Sequence, residues 1–185
     1  MTPPPTPLPE PRTPGHYRIG VVCLGNICRS PTAQVVLESL LDKAGLLGSV
    51  EVASCGTGTW HLGEAIDSRA GTVLTAAGYD PTAHRASKFD DTWLGDYDLV
   101  LAMDQQNLAD IGGRSERVAM FRDFDPVDTG ADVPDPYYGG LGGYEEVLRM
   151  VERTGSAIVS ALQQELGSTS RNRSSRSRFR GDPDT

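Results

Sequence analysis

Hydrophobic and polar positions change period several times along this chain, and each change marks an element. Residues 18–22, RIGVV, form a short apolar run rich in β-branched side chains, the pattern of a buried strand. After a turn, Ala33, Val36, Leu37, Leu40, Leu41 and Ala44 recur at helical spacing until Gly45. Ser30 suits the N-cap of that helix and Pro31 its first position. Residues 50–53 (VEVA) predict a second strand, and Ser68 to Ala77 a second helix closed by Gly78. Residues 98–102 (DLVLA) predict a third strand with a short helix from about Asp104, and residues 117–121 (RVAMF) a fourth strand. The last helix gathers Tyr144, Leu148, Val151, Ile158, Leu162 and Leu166 on one face, while Gly155 weakens its middle.

Strands alternating with helices imply an α/β fold: a parallel sheet with right-handed crossovers and helices on both faces. Ligands of such sheets bind beyond the carboxyl ends of the strands. The turn after the first strand falls there.

Composition sets the limits of the folded part. At 185 residues the chain is long enough for one domain with a real core. Seven of its 13 prolines lie in residues 1–16, and such a segment buries too little apolar surface to offset its ordering entropy, so a disordered lead is expected there. The lead lacks the apolar run of a secretion signal, and nothing approaches the ~18 apolar residues of a membrane span. A cytoplasmic protein is expected.

From Ser168 the chain reads STSRNRSSRSRFRGDPDT, five arginines against two aspartates, and is expected to be a solvated, disordered tail of net charge +3. Glu10 and Arg12 cancel in the lead. With −8 on the whole chain, residues 17–167, the predicted domain, carry −11, which argues against nucleic acid as a partner.

Three cysteines, two of them in one turn, do not describe a disulfide scaffold, and they suggest thiol chemistry or a metal. A metal is disfavoured: Cys23 and Cys28 have four residues between them, no second pair follows, and His16, His61 and His84 are scattered. The turn itself reads VVCLGNICRSP, residues 21–31. A loop between a strand and a helix N-terminus offers backbone N–H groups and the positive end of the helix dipole to an anion. Gly25 and Asn26 tolerate the positive φ that a tight loop needs, and Arg29 adds a planar fork of donors matched to two phosphate oxygens. The same field favours a thiolate at Cys23, so Cys23 is expected to be a nucleophile, with the Ser30 hydroxyl beside it.

A thiolate that attacks a phosphate ester needs a general acid for the leaving oxygen. The candidate is Asp135 in VPDPYYGG, residues 133–140, stiffened by Pro134 and Pro136 and followed by Tyr137 and Tyr138, which can line an aromatic slot. Cys28 is a candidate redox partner, able to close a reversible disulfide with an oxidised Cys23.

Cys23-Leu24-Gly25-Asn26-Ile27-Cys28-Arg29-Ser30-Pro31, with Asp135-Pro136-Tyr137 roughly 110 residues on, resembles the low-molecular-weight protein tyrosine phosphatases over residues 17–166. The resemblance implies a three-layer fold of flavodoxin-like topology with a four-stranded parallel sheet. It also implies phosphotyrosine hydrolysis through a phosphocysteine without metal or cofactor. By position, Cys23 is then the nucleophile, Arg29 and the amides from Leu24 to Ser30 the phosphate clamp, and Asp135 first acid and then base. Asn26, Ser30, Ser54 and His84 resemble the family's loop-bracing network, although Cys55 stands where alanine is usual. Trp60 resembles the wall over the substrate ring, with His61 in a variable position beside it, facing Tyr137 and Tyr138. Tyrosine-phosphorylated proteins are the partners implied, oxyanions such as phosphate the inhibitors, and a monomer the expected state. An arsenate reductase, the nearest rival, needs further cysteines downstream, and none follows Cys55. The presence of Cys23, Arg29 and Asp135 together argues against a non-catalytic phosphotyrosine-binding module that kept the cradle but lost turnover.

Overall fold

The computed structural model describes residues 6–177. Four strands, β1 (Tyr17–Cys23), β2 (Val50–Gly56), β3 (Leu99–Ala102) and β4 (Val118–Met120), form one sheet in the order β2-β1-β3-β4 with every pairing parallel. Among the described residues five α-helices connect or follow them: α1 (Arg29–Lys43), α2 (Ser68–Ala76), α3 (Trp93–Asp96), α4 (Gln105–Asp110) and α5 (Leu141–Ser177). All four expected strands are present.

Alternation along the central strands builds two cores. Ile19, Val21, Leu99 and Leu101 pack with Val36 and Leu37 of α1, Leu74 of α2, and Val151 and Ile158 of α5. Val22, Val100, Ala102 and Met120 pack on the other face with Leu108 of α4 and Ile111 just after it. Fully burying a side chain of this size contributes about 1.5–3 kcal/mol. Gly155 has a packing reason: a Cβ there would lie 3.2 Å from Leu40 Cδ1, so its absence lets α5 cross close over α1. α3 was not expected, being a single turn; its Trp93 stacks on Tyr97 at 4.4 Å.

Both chain ends depart from expectation. Residues 6–16 are docked along the protein rather than free. Leu8 packs on the larger core, Tyr17 Oη donates to Pro9 O (3.0 Å), and Arg117 Nη1 donates to Glu10 O (2.9 Å). The buried carboxylate of Asp98 accepts from the amides of Arg12 and Arg18, each at 2.7 Å. Prolines give such a segment little freedom to lose, so a few backbone bonds suffice to hold it. At the other end α5 runs to Ser177 instead of stopping before Ser168, for no glycine or proline interrupts residues 168–177. The remaining parts of both predicted disordered ends, residues 1–5 and 178–185, lie outside the described residues.

No described helix is long and apolar enough to cross a membrane. The parallel sheet puts the ends of β1, β2, β3 and β4 on one edge, and the loops after them converge there.

Candidate active site

The loop 24–28 starts where β1 ends and hands over to α1 at Arg29. Cys28, not Ser30, occupies the N-cap position, and no side chain caps the helix. The Ser30 hydroxyl is committed elsewhere: it lies 2.9 Å from Cys23 Sγ and accepts from Asn26 Nδ2 at 2.8 Å.

Asn26 organises the turn. Its backbone is left-handed (φ 56°), a conformation that asparagine tolerates better than most residues, and its side chain is fully buried. Nδ2 also donates to Ser54 Oγ (3.0 Å), Oδ1 accepts from Ser87 N (2.9 Å), and its amide donates to Cys23 Sγ (3.3 Å). His84 Nε2 donates to the Asn26 carbonyl at 2.6 Å. Burial holds His84 below its ordinary pKa, against the opposing pull of that carbonyl and with help from Arg85, so the ring is neutral at pH 7 and its proton sits on Nε2. Ser54 Oγ passes the chain on to Gln34 Oε1 at 2.7 Å. Gly56, opposite Cys23 in the sheet, has no room for a side chain, since a Cβ would stand 2.6 Å from Leu24 O.

Arg29 is 3% exposed, and an unpaired cation there would be costly. Its Nη1 donates to Asp104 Oδ2 (2.5 Å) and Val133 O (3.0 Å), and Nη2 lies 3.6 Å from Asp135 Oδ2. Burial works against the charge, yet the Cys23 sulfur, Asp104 and Asp135 together raise its pKa above the ordinary arginine value. Asp104 also caps α4 through the Asn107 amide (2.7 Å). Asp135 is partly exposed and accepts from the Tyr137 amide at 3.1 Å. The segment leading to it is held by Arg122, which bonds Asp125 Oδ2 (2.9 Å) and Asp132 O (2.9 Å).

Cys23, Arg29 and Asp135 line one cavity of about 340 Å³, shared with Leu24, Gly25, Ile27 and Cys28 of the loop and with Trp60, His61, Tyr137 and Tyr138. Trp60 and Tyr138 are largely exposed at its rim, and Tyr138 meets Tyr137 edge to face at 5.1 Å. His61 Nδ1 lies 2.7 Å from Glu64 Oε2. The Cys28 thiol is buried 3.7 Å from Tyr144 Oη, and burial pushes its pKa up to about 12; burial raises that of Cys55 as well. All three cysteines are free. Among the described residues no cluster of histidine, cysteine and carboxylate side chains could hold a metal ion.

Every site residue expected from the sequence thus lies in the cavity or in the network behind it. Gln34, Ser87 and Asp104 were missed. The signal for Asp104 was present, an N-cap beyond the third strand on the ligand-binding edge; Gln34 and Ser87 gave none.

Comparison with known proteins gives a family and a fold. The family model described as low molecular weight phosphotyrosine protein phosphatase matches residues 18–168. A low molecular weight protein-tyrosine-phosphatase of Streptomyces coelicolor is 41% identical over 158 residues, 81% of this chain and 96% of the relative. Low molecular weight protein-tyrosine phosphatase A of Mycobacterium tuberculosis is 44% identical over 136 residues, 71% of this chain and 82% of the relative. Among solved structures, YfkJ from Bacillus subtilis superposes with a TM-score of 0.75 at 30% identity, covering 81% of this chain and 96% of that one.

Proposed function

Since this chain belongs to the low molecular weight phosphotyrosine protein phosphatase family and is a hydrolase of that kind, we propose that it cleaves phosphotyrosine in tyrosine-phosphorylated proteins, and small aryl phosphates, in two steps through a phosphocysteine. In the first step the Cys23 thiolate attacks phosphorus. The bond from phosphorus to the phenolic oxygen breaks, and Asp135 gives its proton to that oxygen. In the second, Asp135 takes a proton from a water molecule as it attacks phosphorus. The sulfur–phosphorus bond breaks, inorganic phosphate leaves, and the thiolate returns.

The backbone amides from Leu24 to Ser30, with the two-pronged guanidinium of Arg29, bind the phosphoryl oxygens and stabilise the charge that develops on them. Asn26, Ser30, Ser54 and His84 keep the loop wrapped. Trp60, His61, Tyr137 and Tyr138 flank the substrate ring, which favours a tyrosine side chain over a short serine phosphate. Phosphate and other oxyanions compete for the same clamp. No metal enters either step.

One observation carries this reading: Cys23 from the end of β1, Arg29 from the start of α1, and Asp135 from the loop before α5 line a single cavity. The test is a panel of phosphotyrosine and phosphoserine peptides with the parent protein, Cys23→Ser and Asp135→Ala. Cys23→Ser is expected to abolish turnover while still binding phosphopeptide. Asp135→Ala is expected to lower kcat on phenyl phosphate by roughly 10²–10⁴-fold, the scale of general-acid loss. An Asp135→Ala enzyme with undiminished phenyl phosphate turnover would refute the acid role.

The same turn supports redox control. Peroxide oxidises the Cys23 thiolate to a sulfenic acid, which condenses with the Cys28 thiol to a disulfide and releases water. Thiol reductant reverses it. Cys28→Ser should then lose activity irreversibly under peroxide that the parent survives.

A further inference from the structure

The general acid sits on a loop that is tied down on both sides, and the two ties differ in origin. Before Asp135, the Val133 amide donates to Met103 O (2.7 Å) and the Val133 carbonyl accepts from Arg29 (3.0 Å). After it, the Tyr137 carbonyl accepts from Arg69 Nη1 at 2.9 Å, and the Gly139 carbonyl from the same nitrogen at 3.5 Å. The Arg69 guanidinium also lies over two aromatic rings, 5.3 Å from the centre of Tyr137 and 4.9 Å from that of Tyr144.

Arg69 is itself fixed from behind. Its Nε and Nη2 donate to the two carboxylate oxygens of Asp67 at 3.1 and 3.0 Å. Asp67 caps α2 through the Arg69 amide (2.8 Å), and its own amide donates to Ile27 O, inside the phosphate-binding loop, at 2.9 Å. A continuous chain, Ile27 to Asp67 to Arg69 to Tyr137, therefore joins the loop that holds the nucleophile to the loop that holds the acid. Arg69 does not line the cavity.

We propose that Arg69 is a positioning residue for Asp135: with Asp67 it clamps the far side of the acid loop to the phosphate-binding loop and sets the distance at which Asp135 meets the leaving oxygen. The proposal rests on the reading of Asp135 as general acid. Pro134 and Pro136 stiffen the short arc between the anchors at 133 and 137, so a shift at one anchor moves the carboxyl group. A misplacement of 1 Å at a reacting group can cost on the order of 10²-fold. Lysine is a poor substitute, because one ammonium cannot grip a carboxylate with two parallel bonds, reach a carbonyl and cover two rings at once.

The test compares p-nitrophenyl phosphate, whose leaving group needs little protonation, with phenyl phosphate, whose leaving group needs it. Parent, Arg69→Ala, Arg69→Met, Arg69→Lys, Asp135→Ala and the Arg69→Ala/Asp135→Ala double variant are assayed on both. Arg69→Met keeps the aliphatic cover on the rings and serves if the alanine variant does not fold. Loss of the clamp is expected to lower kcat/KM, which reports the step in which the phenolic oxygen leaves, on phenyl phosphate on the order of 10–10²-fold with far less effect on kcat/KM for p-nitrophenyl phosphate. Inhibition by inorganic phosphate should stay unchanged, Arg69→Lys should recover only part of the loss, and Arg69→Ala should add nothing to Asp135→Ala. Equal losses of kcat/KM on the two substrates, or additive losses in the double variant, would mean that Arg69 merely supports the fold and would overturn the proposal. If Asp135→Ala itself shows no leaving-group dependence, the acid assignment fails first and takes the proposal with it.

Discussion

Ser30 Oγ lies 2.9 Å from Cys23 Sγ and accepts a hydrogen bond from Asn26 Nδ2, so the hydroxyl proton is free to point at the sulfur. The next acceptor in reach, the Cys55 carbonyl, is farther off at 3.4 Å. Ser30→Ala removes that donor and strands one donor of a buried asparagine. A hydrogen bond to a charged group contributes about 1.5–3 kcal/mol, so alkylation of Cys23 by iodoacetate should slow by roughly 10–10²-fold in the variant. Equal alkylation rates would show that the hydroxyl does not serve the sulfur.

Asp104 holds Arg29 through Nη1, whereas Asp135 approaches Nη2, and the other oxygen of Asp104 caps α4. Asp104→Asn keeps a capping oxygen but removes the charge that faces the guanidinium. KM for aryl phosphates and the inhibition constant for phosphate should both rise, while the ratio of rates on p-nitrophenyl and phenyl phosphate stays at the parent value. Steady-state kinetics on the two esters checks this, and a changed ratio would place Asp104 in the proton transfer instead.

His84 ties the fold of the loop to pH. Burial holds its folded pKa below 6.5, so the unfolded chain takes up the proton first. The stability it contributes is complete above 6.5 and is lost as pH falls through the lower, folded value. His84→Gln can still donate to the Asn26 carbonyl but cannot titrate. Urea midpoints measured near pH 7.5 and near pH 5.5 should therefore fall less in the variant than in the parent. Parallel changes in the two proteins would contradict the assignment.

Much of this was legible in the chain because its chemistry is local. Cys23, Asn26, Arg29 and Ser30 fall within eight residues, and the strand that leads into that turn shows the β-branched run that a buried parallel strand requires. Asp135 could be read from its prolines and tyrosines. Ser54 and His84 were reached through family resemblance, since nothing in their own neighbourhood says that a turn distant in sequence will meet them. Gln34, Ser87, Asp67 and Arg69 were out of reach for a related reason: they meet partners on other elements, and the sheet register that brings them together is a property of the whole fold. Serine before an apolar periodic run usually caps a helix, which is what the pattern at Ser30 predicts. Here the hydroxyl is more useful to the sulfur. The lead was misjudged because composition reports how much apolar surface a segment can bury, whereas residues 6–16 are held largely through backbone bonds.

Asp135 serves both steps in this mechanism, so its loss should separate them. With p-nitrophenyl phosphate, Asp135→Ala still forms the phosphoenzyme but hydrolyses it slowly, and the intermediate should build up. The decisive measurement is rapid acid quench of this variant, followed by mass spectrometry of the peptide that contains Cys23. One added phosphoryl group on the Cys23 sulfur, formed in a burst that matches the first p-nitrophenol released, is the predicted result. Continued turnover with no adduct on Cys23, or an adduct on any other side chain, would contradict the account.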